Sequence, residues 1–152
     1  MPKGIYCLVF ENPACTALIG ALGPVAFREG WHSYIGSALG SGGLARLDRH
    51  ITLSRDRDKR PKWHVDYLLT DRRFSLRYTV SAPTEERLEC PLARALGEPG
   101  VPSFGCSDCR CPSHLLYREQ DPRRGIAAAF RSLGLVPVTT TIMNQEGSKG
   151  NV

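Results

Sequence analysis

The chain has 152 residues, 41% of them apolar and 23% charged, the composition of one globular domain with a core of its own. No apolar run approaches the length needed to cross a bilayer, so no membrane partner is expected. The first residues lack the long apolar region of a secretory signal, which predicts a cytoplasmic location.

Gly4–Phe10 is a short apolar run rich in β-branched and aromatic residues and predicts a central strand covered on both faces. Glu11-Asn12-Pro13 breaks it. Residues 16–30 predict a second short strand, a turn at Gly23-Pro24 and a further extended piece, and Trp31–Gly36 returns as a strand. A glycine-rich turn, Gly36 to Gly43, then opens a helix expected to run from about Gly43 to Leu53. Its glycines permit close approach of a ligand, and the N–H groups of a helix N-terminus suit a phosphate. Arg46 and His50 stand four residues apart, hence on one helical face, while Leu44, Leu47 and Ile51 form the apolar stripe.

Pro61 suits the first turn of a second helix carrying Trp63, His64, Asp66 and Tyr67, although the apolar spacing also permits an extended segment. Phe74, Leu76, Tyr78 and Val80 alternate with polar residues and predict a half-buried strand. Ser81–Glu98 carries a helical pattern in which Pro91 marks either a kink or the helix start. A cysteine-bearing loop then leads into a strand at His114–Tyr117, and Asp121-Pro122 opens a last helix that Gly134 stops. Residues 1–135 are expected to form one domain and 136–152 a disordered tail.

The charge is uneven as well as positive. A formal net charge of +5, with arginines and lysines crowded at 46–62 and 72–77, permits an acidic partner, and nucleic acid is the commonest for a basic domain. Of the six cysteines, Cys7 lies in a strand and reads as a small core residue, and Cys15 has no partner in sequence. Cys106-x-x-Cys109-x-Cys111-x-x-His114 holds the ligand types of a structural Zn²⁺ site, and Cys90 can replace one member; reduced, packed thiols are the alternative.

Two tripeptides carry a resemblance. Gly4-Ile5-Tyr6 and Tyr34-Ile35-Gly36, followed by the glycine turn and Arg46-x-x-x-His50, resemble the signature of the GIY-YIG nuclease superfamily. Trp63–Leu69, Glu89-Cys90 and Phe104–Leu115 are similar to segments of the Uri-type group of prokaryotic proteins in that superfamily, some of which are fused to a DNA-repair glycosylase.

The resemblance implies an α+β fold, a small antiparallel sheet flanked by helices, and hydrolysis of DNA phosphodiesters with Mg²⁺ or Mn²⁺. It implies that Arg46 offsets charge on the scissile phosphate and that Glu89 holds the metal, with Glu85 in reserve. Tyr6 and Tyr34 would line the cleft, Tyr6 orienting or deprotonating the attacking water with a cation nearby to lower its pKa. His50 would move a proton or hold a tyrosine hydroxyl, and Gly36, Ser37, Gly42 and Gly43 would contact substrate; His64, with Asp66, either lines the site and contacts substrate or forms a hydrogen-bonded structural pair. DNA is the implied partner, together with a DNA-repair glycosylase.

The gap between the tripeptides is long for the superfamily and predicts an inserted hairpin. The family's downstream asparagine has no counterpart before Asn144, so Ser103 or Ser113 stands in. Two other readings remain beside the nuclease: a nucleic-acid-binding module of the same fold, and a zinc-stabilised interaction domain.

Overall fold

The computed structural model describes residues 1–105 and 111–142. It is an α+β domain built on five antiparallel strands. In chain order, β1 (Gly4–Asn12) leads into a hairpin of β2 (Cys15–Leu18) and β3 (Pro24–Phe27), then β4 (Gly30–Ala38) and helix α1 (Ala45–Asp56). Helix α2 (His64–Leu69), β5 (Ser75–Pro83), α3 (Glu89–Leu96), β6 (Leu115–Arg118), α4 (Arg123–Ser132) and β7 (Val138–Thr141) follow. The sheet order is β6-β4-β1-β5-β7, with every neighbouring pair antiparallel.

β1 lies in the middle because its side chains are apolar on both faces. Tyr6, Leu8 and Phe10 face one core layer with α1, α2 and the hairpin, while Ile5, Cys7 and Val9 face a second with α3 and α4. The expected insertion is the β2–β3 hairpin, which forms a small sheet of its own and sends Ala17, Ile19 and Phe27 into the first layer. Phe27 meets Phe74 edge to face at 5.0 Å, and Phe74 meets Phe10 in the same way at 6.3 Å, so aromatic packing clamps the insertion to the sheet.

Four expectations need correction. The 81–98 pattern is not one helix: Ser81–Pro83 complete β5, and α3 begins only at Glu89, with Pro91 in the first turn where its missing N–H is not needed. Pro61 lies before α2, which starts when the Asp66 carboxylate accepts the N–H groups of Lys62 (2.8 Å) and Trp63 (3.1 Å). Asp121 sits one residue before the cap, accepting the N–H of Arg123 at 3.0 Å and the Tyr78 hydroxyl at 2.6 Å. The tail is not structureless throughout: Val138–Thr141 pairs with Ser81–Tyr78 as an edge strand. Its four side chains are exposed, so backbone hydrogen bonds alone place it. Among the described residues no helix is long and apolar enough to cross a membrane.

Candidate active site

The antiparallel register sets the site's floor. Tyr6 pairs with Gly36, Ile5 with Ser37, and Leu8 with Tyr34, so the two tripeptides lie side by side on neighbouring strands. β6 pairs with β4 only over Trp31–Tyr34, and one further bond runs from the Ile35 N–H to the His114 carbonyl at 2.8 Å. Beyond that point no strand among the described residues lies beside the β4 edge. There a cleft of about 320 Å³ opens, lined by Tyr6, Tyr34, Gly36, Ser37, Arg46, Arg87, Glu89, Cys90 and His114, among others.

Gly36 is required by a close approach. A Cβ at this position would stand 2.6 Å from both Cζ and the hydroxyl of Tyr6, whose ring crosses directly above it. Tyr6 is buried and cannot retreat. Gly36→Ala is therefore expected to cost roughly 1–3 kcal/mol by overpacking, read as a lower denaturant midpoint, and to push Tyr6 from its position in the cleft. A midpoint equal to that of the parent protein would contradict this packing.

Ser37 joins the two opposite charges of the cleft. Its hydroxyl donates to Glu89 Oε2 at 2.5 Å, and its carbonyl accepts from Arg46 Nη1 at 3.2 Å. One strand residue thus holds a carboxylate from α3 and a guanidinium from α1. Arg46 and Arg49 both lie over the half-exposed Trp63 ring, each 5.5 Å from its centroid.

His50 stands behind the cleft. Its Nε2 shares a 3.0 Å hydrogen bond with the Tyr6 hydroxyl, and the residue is 3% exposed. Burial lowers its pKa to about 4; Asp66 opposes this, and Arg49 and Arg46 reinforce it. The imidazole is therefore neutral at pH 7. Burial likewise raises the Tyr6 pKa well above the ordinary phenol value, helped by Tyr34, and the pull of the Arg46 guanidinium is the weaker effect. The expected lowering of this phenol by a neighbouring cation is thus outweighed by desolvation. Tyr6 stays protonated.

The glycine turn does not present an open set of N–H groups. The Gly43, Ala45 and Arg46 N–H groups bond to the carbonyls of Gly40, Gly42 and Gly43, and that of Leu44 donates to the Pro2 carbonyl at 2.8 Å. Gly43, at φ +58°, makes room for the Pro2 backbone, whereas Gly42 has open space around it. Both line a separate hollow with Arg46 and Arg49 beside the cleft. His64 does not line the cleft either; its Nδ1 accepts the Gly105 N–H at 2.9 Å, and Gly105 forms part of the cleft wall. Neither Ser103 nor Ser113 lines the cleft, and the Ser113 hydroxyl bonds the Leu115 backbone at 2.9 Å. Glu85 lies in the bend before α3, not on its face.

Of the predicted zinc ligands, Cys90, Cys111 and His114 place their donor atoms within 4.8 Å of one another, a set able to hold a metal ion. Cys106, Cys109 and Asn144 lie outside the described residues. Sequence reasoning missed Arg87, two residues before Glu89 on the cleft wall, and the place of Trp63 under two arginines. A basic residue near the predicted metal ligand was the only signal for Arg87.

A family model described as "Domain of unknown function DUF123" matches residues 5–135, and the chain belongs to that family. No curated protein and no solved structure matches the chain significantly.

Proposed function

We propose that this member of an uncharacterised family is an endonuclease that hydrolyses DNA phosphodiesters with a divalent cation. One observation carries the reading: Tyr6, Tyr34, Arg46 and Glu89, from four separate elements, converge on one cleft, with His50 bonded to Tyr6 from behind.

A phosphate in the cleft would meet the Arg46 guanidinium, already oriented by the Ser37 carbonyl, and gain a second cation in Arg87. Glu89 fits a hard cation. Its Oε2 is held by Ser37, and Mg²⁺ is commonly bound through one or two carboxylates together with water and substrate oxygens. A divalent ion held there supplies charge neutralisation for the phosphate and the departing oxygen. Tyr6, as a neutral phenol, orients the attacking water through its oxygen. His50, neutral and bonded to the Tyr6 hydroxyl through Nε2, holds that oxygen in place, and the water's proton passes to a phosphate oxygen of the substrate, so Tyr6 keeps its own proton and no phenolate is needed. The superfamily resemblance and the positive net charge support nucleic acid as the substrate.

Purified protein is expected to nick supercoiled plasmid or branched DNA when Mg²⁺ or Mn²⁺ is added, and to do nothing in excess chelator. Absence of cleavage with either ion sinks the reading. The protonated state of Tyr6 favours a second reading, a binding module without efficient hydrolysis. In that case DNA affinity falls steeply with salt, as counterions are released, while no product forms.

A further inference from the structure

Besides the carboxylate of the cleft, the described residues bring together one set of soft metal ligands. Cys90 lies in the first turn of α3, next to Glu89, and Cys111 and His114 come from the segment that enters β6. Neither cysteine forms a disulfide, and Cys111 and His114 are buried. Tetrahedral zinc, with Zn–S near 2.3 Å and Zn–N near 2.0 Å, sets a sulfur and a nitrogen ligand about 3.5 Å apart. Cys90 Sγ and His114 Nε2 stand 3.7 Å apart. The His114 ring also hydrogen-bonds the Gly105 backbone, the kind of outer contact that fixes a ligating imidazole. Two thiolates and an imidazole select zinc over Mg²⁺, which wants oxygen.

The placement suggests what such an ion would do. The C-terminal end of α3 is fastened by Arg118, whose Nη2 donates to the carbonyls of Leu96 and Gly97. At the other end, the hydrogen bond from Ser37 falls on Glu89 itself, the carboxylate assigned to the cation. A bond to Cys90 would hold the first turn without using Glu89.

We propose that Cys90, Cys111 and His114 bind one zinc ion, and that this ion pins the first turn of α3 against the segment preceding β6, fixing Glu89 in the cleft. The consequence for Glu89 rests on the nuclease reading; zinc binding does not.

Protein purified without chelator is expected to carry about one zinc per chain by elemental analysis, and the content should fall below a tenth in Cys90→Ser and Cys111→Ser but not in Cys15→Ser, which lies outside the cluster. Cobalt exchanged into the parent protein should give a thiolate charge-transfer band, a readout that survives if a variant fails to fold. Hydrogen exchange should show the α3 amides exchanging at least tenfold faster once zinc is stripped, and recovering on its return. Zinc content near zero, retention of full zinc by both cysteine variants, no thiolate band with cobalt, or unchanged α3 exchange would each overturn the proposal. A zinc-loaded protein that cleaves no DNA leaves this site standing and removes the nuclease reading alone.

Discussion

Arg46→Ala and Glu89→Ala are each expected to lower cation-dependent DNA cleavage by about a hundred- to a thousandfold, the loss typical of removing one preorganised group that meets transition-state charge. The two act at opposite sides of Ser37. On this reading Arg46 would meet the phosphate as it gains negative charge, and among the described residues no other cleft side chain is positioned by the same carbonyl. Among the described residues Glu89 is the single carboxylate lining the cleft, so its loss would remove the side chain proposed to hold the cation. Arg46→Lys should recover only part of the rate, because an ammonium keeps the charge and loses the planar fork. Neither residue is a core side chain, and the denaturant midpoints should stay close to that of the parent. Initial nicking rates at saturating Mg²⁺ provide the measurement. Parent-like rates in either variant would exclude that residue from the chemistry.

Acid should destabilise the fold through two buried histidines. His32 is hydrogen-bonded to Asn12 Oδ1 at 2.7 Å and walled by the rings of Phe27, Phe74 and Tyr117; burial lowers its pKa to about 4. His50 is lowered to about 4 as well. Both depart from an ordinary value of 6.5. As pH falls below 6.5 the unfolded chain takes up protons that the native state refuses until about pH 4. Stability contributed by each neutral ring is therefore intact above that window, declines through it, and is gone below it. The loss amounts to roughly 3 kcal/mol per histidine, a large part of the about 5–15 kcal/mol that holds a domain together. Denaturant melts at pH 7, 5.5 and 4.5 should show this decline. Imidazole resonances that titrate near pH 6.5 in the folded protein would contradict it.

The same neutrality bears on the chemistry. At pH 7 His50 is a neutral partner for the Tyr6 hydroxyl, suited to holding it and not to taking its proton, and the burial that sets this was not legible in the sequence. Arg46-x-x-x-His50 predicts a shared helical face, and both residues do lie on α1. The helix meets the sheet so that Arg46 reaches the cleft while His50 lies behind Tyr6. Spacing along one helix cannot distinguish these positions, because the packing partner sets the depth of each.

The strands and α1 were legible for a local reason. A fully apolar β1, an alternating β5 and an apolar stripe at Leu44, Leu47 and Ile51 each record which side of an element meets a core. Where that record is missing, the sequence was silent or misleading. β7 has four exposed side chains and so no periodicity to read. The helical pattern at Leu88–Leu96 extended upstream into residues that β5 claims for its ladder.

By itself, then, the sequence determined an α+β domain with a central apolar strand, an insertion between two tripeptides, and a short set of chemically able residues. Their identities are local properties. Only the tertiary structure decided that Ser37 lies between Glu89 and Arg46, that the first-turn N–H groups of α1 are satisfied by Pro2 and the turn, and that Tyr6 keeps its proton. Each of these depends on strand register or on burial, and both are set by residues far away in the chain.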